Sequence, residues 1–151
     1  MRIWRIFPAR FRNSAFTGIE GLYAAGRWNH LGTPMVYTAT SRALAALEFF
    51  VNLEPNQAPN DLLIAEATLP NDLVARFDPA TLPKNWRQLN NLPCRDIGSA
   101  WATSNRSVAL EAPSAIVEGD TNVLLNPNLP DFRQVQIAEP KPFRYDEHMF
   151  R

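Results

Sequence analysis

At 151 residues, 46% of them hydrophobic, the chain has length for one domain with a sizeable core, spanning 1–151, and not for two. Fifteen Lys and Arg balance fifteen Asp and Glu, which excludes the overall basic field of a non-specific nucleic-acid binder, though not a local patch. Cys94 is the only cysteine and His30 and His148 the only histidines, too few for an internal disulfide, a cysteine-rich metal site or a histidine-built zinc site.

Apolar runs fall well short of a membrane span, and Met1 to Pro8 lacks the apolar core of a signal peptide, so a soluble, cytoplasmic protein is expected. Thirteen prolines predict short strands and many turns rather than a helical bundle. There is no repeat and no low-complexity tract.

Arg2 to Phe7 reads as an opening strand ended by Pro8, and the polar stretch to Glu20 as a loop. Leu22 to Trp28 reads as a strand, with Gly26 allowing close backbone approach just before Arg27. Met35, Tyr37 and Ala39 alternate with Val36 and Thr38 in a short strand. Thr40 and Ser41 then stand where a helix N-cap is wanted, Leu44, Leu47 and Val51 recur at helical spacing, and Pro55 ends the helix. Asp61 to Leu69 is a largely buried strand, with Leu63, Ala65 and Ala67 on one face. Leu73 to Phe77 is another, and Asp78 to Pro93 is irregular. Trp101 and Val108, a heptad apart, predict a helix over Ser99 to Glu111. Ala115 to Glu118 reads as a strand, Gly119-Asp120 as a turn, and Asn122 to Asn126, Phe132 to Ile137 and Pro142 to Tyr145 complete the strands. Strands outnumber helices in mixed order, so the class is α+β, with helices packed on mainly antiparallel sheets.

Glu48 falls on the stripe of Leu44 and Val51, and an inward carboxylate is costly unless paired or put to use. Arg27, Tyr37 and Glu48 thus bring a fork of donors, an aromatic hydroxyl and a carboxylate from consecutive elements, and they can converge on one ligand. Each has a plainer reading too: Arg27 as an ion-pair arginine, Glu48 as a paired rim carboxylate, Tyr37 as a core residue of a half-buried strand. Trp28 adjoins Arg27 and either walls a pocket or joins the other tryptophans in the core. Cys94 has Arg95 beside it to favour thiolate but no second catalytic partner.

Five motifs in order carry a family resemblance: Arg27-Trp28-Asn29, Pro34 to Tyr37, the helix with Ala46-Leu47-Glu48, Pro113 to Ile116, and Asn122 to Pro127. Over nearly its whole length the chain resembles the RES-domain toxins, named for an Arg, a Glu and a Ser, which here are Arg27, Glu48 and Ser114. The resemblance implies the toxin half of a toxin–antitoxin pair, an ADP-ribosyltransferase-like core, and a hetero-oligomer with an antitoxin carrying an Xre-like DNA-binding domain. No direct nucleic-acid contact, membrane or cofactor is implied. NAD would be the substrate, cleaved at the nicotinamide–ribose bond, with water, phosphate or a protein as acceptor. A non-catalytic module that binds a nucleotide or an antitoxin is the alternative from another class. The chain departs from the family pattern at Leu129, where a histidine is expected, and at Ser99-Ala100, where an acid is expected.

On that resemblance Glu48 stabilises the ribose cation as nicotinamide departs, Arg27 grips the diphosphate, and Tyr37 stacks on the nicotinamide or orients the ribose. Ser114 exchanges one hydrogen bond with the substrate. Asn122 and Asn126 are further binding candidates, each equally able to hold its own turn.

Overall fold

The computed structural model describes residues 1–150. Its strands are β1 (Arg2–Pro8), β2 (Val36–Ala39), β3 (Leu62–Thr68), β4 (Val74–Arg76), β5 (Ala109–Pro113), β6 (Thr121–Leu125), β7 (Gln136–Ile137) and β8 (Lys141–Phe143). The helices are α1 (Glu20–Tyr23), α2 (Arg42–Phe50) and α3 (Leu92–Ser104).

Apolar residues alternate on both faces of β1, with Ile3 and Phe7 to one side and Trp4 and Ile6 to the other, and such a strand needs cover on both sides. It lies inside one eight-stranded sheet ordered β4-β5-β6-β2-β1-β3-β7, with β8 also on β3. Every pairing is antiparallel except β4 with β5. The α+β architecture expected from the sequence is therefore present.

The two neighbours of β1 treat it differently. β3 pairs with it along its full length, from Arg2 opposite Thr68 to Pro8 opposite Leu62. β2 meets it only where Trp4 faces Ala39, because β2 runs its whole length against β6 instead. Beyond Trp4 the two strands part, and a seam opens between Arg5 to Phe7 on one side and Val36 to Thr38 on the other.

Cross-strand partners share a face, so Tyr37 lies beside Leu124 and Leu110, and Ala39 beside Asn122 and Ala112. Two layers cover this face. Leu44 and Ala45 of α2 pack with Ile6, Ala39 and Tyr145, while Trp28, Trp86 and the α3 residues Cys94 and Ala102 pack with Leu110, Ala112 and Leu124. The opposite face buries Ile3, Val36, Val123 and Leu125 against Val135, with Phe16 and Phe132 at its margin.

Several local expectations are corrected. Leu22 to Trp28 is no strand: after α1 the chain is looped, and Asn29 supplies the partners a neighbouring strand would give. Its side chain accepts from Gly26 N and donates to the carbonyls of Ala24 and Thr33. The helix placed at Ser99 to Glu111 begins earlier, where the Asn91 side chain accepts from Cys94 N, and ends at Asn105 in the left-handed conformation (φ 54°). The Trp101–Val108 heptad therefore straddles α3 and the approach to β5. Ala115 to Glu118 is a turn closed by the Ser114 hydroxyl and by Gly119 at φ 90°. Between Phe132 and Ile137 a 3-10 turn at Pro130–Gln134 leaves only β7 as strand.

α2 is also rotated from expectation. Leu47 and Val51 are 37% and 53% exposed, and the inward side is Leu44 and Ala45, followed by Phe49 and Phe50. Aromatic rings have more area to bury, and they take the contact with the C-terminal segment. The helix stops before Pro55, since the Asn52 side chain donates to the Glu48 carbonyl and the backbone tightens into 3-10 bonds at Asn52 and Leu53.

Candidate active site

Ser41 directly follows Thr40 at the end of β2, and its hydroxyl accepts from Leu44 N at 3.0 Å, so α2 starts without slack. Buried Leu44 and Ala45 then seat the helix on the sheet. One turn beyond Leu44, half-buried Glu48 points at the start of the 114–120 turn, where its Oε1 accepts from Ser114 Oγ at 2.8 Å. Ser114 is 1% exposed. Its Oγ accepts from the N–H groups of Ile116 and Val117, both at 3.1 Å. With its lone pairs facing two donors, the hydroxyl has one place for its proton, the Glu48 carboxylate. The structure thus brings the predicted Glu and Ser together, with Ser114 as the group that orients Glu48.

Tyr37 lies on the seam, but its hydroxyl is occupied: it donates to Asn29 Oδ1 at 2.5 Å and accepts from Trp28 N at 3.0 Å. Burial pushes its pKa up to about 12, against the opposing pull of the Trp28 N–H and the Arg95 charge. A Cβ on Gly26 would lie 2.4 Å from this hydroxyl, which is why the loop needs glycine there. Tyr37 therefore braces the 24–33 loop with its hydroxyl, and only the part of its half-buried ring not packed on the Trp28 cluster is left to meet a ligand.

Arg27 does not reach into the seam. Its Nη1 donates to the carbonyls of Trp86 (2.9 Å) and Gln88 (3.2 Å), and its Nη2 to that of Arg87 (3.3 Å). These bonds staple the 86–88 loop to the 24–33 loop. Another arginine stands at the seam. Arg5 Nη1 donates to the Tyr37 carbonyl at 3.1 Å, Nη2 pairs with Glu20 Oε1 at 3.0 Å, and Nε is buried without a partner. The Arg5 side chain is 13% exposed. Sequence reasoning passed over it, although a cation among Ile3, Trp4, Ile6 and Phe7 is costly to bury and was the available signal.

The remaining candidates divide. Trp28, 2% exposed, packs against Phe77 and Trp86 as a core residue, not a pocket wall, and Gly98 of α3 sits against its backbone where a Cβ would meet Trp28 O at 1.8 Å. Asn122 shares the face and row of Ala39, and its Nδ2 donates to Thr38 O at 3.2 Å. Asn126, 2% exposed, lies apart from Glu48: its Nδ2 donates to Ala102 O and its Oδ1 accepts from Asn128 N, which joins α3 to the turn after β6. Burial pushes the Cys94 thiol up despite the Arg27 charge, so thiolate is disfavoured, and Arg95 donates instead to Gly26 O and Asn90. At the two departures, Leu129 packs on the core while Ser99 Oγ accepts from His30 N at 2.8 Å, with Asp96 one turn earlier 2.6 Å from the His30 ring. Among the described residues no group of three or more His, Cys, Asp or Glu comes together, and no helix is long and apolar enough to cross a membrane.

The model of the RES domain matches residues 2–146. A protein of Sphingobium sp. named Prs ADP-ribosylating toxin is 35% identical, over 98% of this chain and 96% of its own length. Proteins named Toxin Res from Photorhabdus laumondii and Pseudomonas putida are 34% and 33% identical, covering 89% and 99% of this chain and 86% and 100% of their own. A chain in the crystal structure of the M. tuberculosis MbcT–MbcA toxin–antitoxin complex shares the fold with a TM-score of 0.68 at 14% identity, over 99% of this chain and 86% of that one. A match over almost the whole chain, with relatives above 30% identity, settles the family: this chain is a member of the RES-domain family.

Proposed function

We propose that the chain is the toxin of a toxin–antitoxin pair and that it cleaves NAD at the nicotinamide–ribose bond. The observation that carries this reading is the Glu48 carboxylate, oriented by a hydroxyl that has no other acceptor and presented by a helix packed on Ile6 of β1 and Ala39 of β2. The nicotinamide of NAD leaves as a neutral base from a cationic ring, so no general acid is needed. What the reaction requires is stabilisation of the positive charge that grows on the ribose, as in glycoside cleavage. A fixed carboxylate supplies that.

In this scheme Glu48 meets the ribose, with Ser114 holding its orientation, and the ring of Tyr37 meets the nicotinamide. Arg5 takes the diphosphate role in place of Arg27: it leaves β1 on the face of Ile3 and Phe7 and is tied to Glu20, but its guanidinium reaches the gap at the Tyr37 carbonyl, where that of Arg27 is turned to the 86–88 loop. Asn122, on the same face, lines the floor. NAD enters as substrate rather than resident cofactor. A protein acceptor for ADP-ribose is the second reading, favoured by the name of the Sphingobium relative. The partner proposed is a cognate Xre-like antitoxin, in a hetero-oligomer in the cytoplasm.

NAD concentration over time, with purified chain in buffer with and without phosphate, tests this against Glu48→Gln. Loss of NAD in wild type alone supports cleavage, and dependence on phosphate names the acceptor. Persistence of NAD, with no labelled ADP-ribose on protein after incubation in cell extract, would leave a binding module.

A further inference from the structure

The turn of α2 that carries Glu48 is poorly seated by its own sequence. The helix buries Leu44 and Ala45 near its start, whereas Leu47 and Val51 face outward. What holds its second half comes from nearly a hundred residues away. Tyr145, 5% exposed, donates its hydroxyl to the carbonyl of Ala46. Its ring stands edge-on to Phe143 at 4.9 Å and packs at 5.8 Å from Phe50 and 5.9 Å from Phe150. Phe50 and Phe150 also meet, with centroids 5.6 Å apart. The Ala46 carbonyl lies inside the helix and already faces the N–H of Phe50 by helical pattern, so the phenol is an additional donor rather than a cap.

We propose that Tyr145 is a positioning residue for Glu48: its hydroxyl ties the second half of α2 to the C-terminal aromatic cluster and so fixes where the carboxylate meets Ser114. The inference rests on the role given to Glu48 above. Two anchors then define the carboxylate, Ser114 at its tip and Tyr145 on its backbone, and removal of either lets the helix turn drift. A displacement near one ångström at a reacting group is enough to slow chemistry by one to two orders of magnitude.

The test is Tyr145→Phe, which keeps the ring and its packing and deletes only the hydroxyl. Assayed well below the melting temperatures of both proteins, the variant is expected to lose about tenfold in kcat for NAD consumption, with KM within about twofold of wild type. Adding Ser114→Ala should cost little more than the slower single variant, because both act on one group. The 13C signal of the Glu48 carboxyl should move in Tyr145→Phe toward its position in Ser114→Ala. A lowered melting temperature with wild-type kcat and an unmoved Glu48 signal would make Tyr145 a fold residue only and overturn the proposal. If wild type itself consumes no NAD, the proposed reaction fails, and the carboxyl signal alone then decides the role of Tyr145.

Discussion

Ser114 gives its only hydroxyl proton to Glu48 across 2.8 Å, while the N–H groups of Ile116 and Val117 fill the rest of its oxygen. The pair is therefore directional, and it makes Glu48 an acceptor held in one place. Glu48→Gln should fold as wild type and lose at least about a hundredfold in kcat, since the amide cannot oppose a growing positive charge. Wild-type turnover in that variant would remove Glu48 from the chemistry.

Ser114→Ala leaves two backbone donors without an acceptor and frees the carboxylate. A stability loss of about 1–3 kcal/mol is expected, with kcat lowered roughly tenfold to a hundredfold and KM little changed. Chemical denaturation beside steady-state kinetics checks both halves. A rise in KM alone would restore Ser114 as a direct substrate contact.

The two arginines should separate in the same assays. Arg27→Lys keeps the charge but lacks the fork for three carbonyls, so stability should fall by about 1–3 kcal/mol while KM for NAD moves little. Arg5→Lys should raise KM about tenfold or more if the seam arginine grips the diphosphate. The reverse pattern would return that role to Arg27.

Tyr37→Phe keeps the ring but strands Trp28 N and leaves Asn29 Oδ1 with Gly26 N as its one donor. The expected result is a loss of about 1–3 kcal/mol in stability, with NAD binding retained at temperatures where the protein is folded. Tyr37→Ala, which removes the ring, should abolish binding. Equal binding in the two variants would exclude stacking on Tyr37.

Alkaline stability follows from Tyr37 and Tyr145, both pushed up to about 12 by burial. Between their ordinary value near 10 and about 12, the unfolded chain releases protons that the folded chain keeps, so stability falls as pH rises through that window. Below it this contribution is fully present. Urea midpoints at pH 9 and pH 11 compare the two regimes, and a midpoint that does not decline would show that the phenols ionise in place.

Much of the site was legible because its signals are local. Ser41 as cap and Glu48 one turn past Leu44 could be read from spacing, Ser114 only from the family resemblance, and the sheet from the alternation in Arg2 to Phe7 and Asp61 to Leu69. What could not be read depended on distant partners. The rotation of α2 is set by aromatics of the C-terminal segment, and the use of Arg27 by carbonyls some sixty residues downstream. Arg5 was hidden for a related reason: the parting of β1 from β2 is decided by β6, and without that parting an arginine mid-strand looks merely out of place.

That parting makes the sheet two plates. One plate holds β1, β3, β7 and β8, the other β2, β4, β5 and β6, and a single ladder pair, Trp4 with Ala39, joins them. Beside Tyr37 no further rung spans the gap; the Arg5 bond to the Tyr37 carbonyl and the buried packing of Ile3 with Val36 and of Ile6 with Ala39 and Leu44 hold the plates together. Any relative motion of the plates would thus turn about Trp4–Ala39, and the polar group that latches them there is the guanidinium proposed above for the substrate's phosphates.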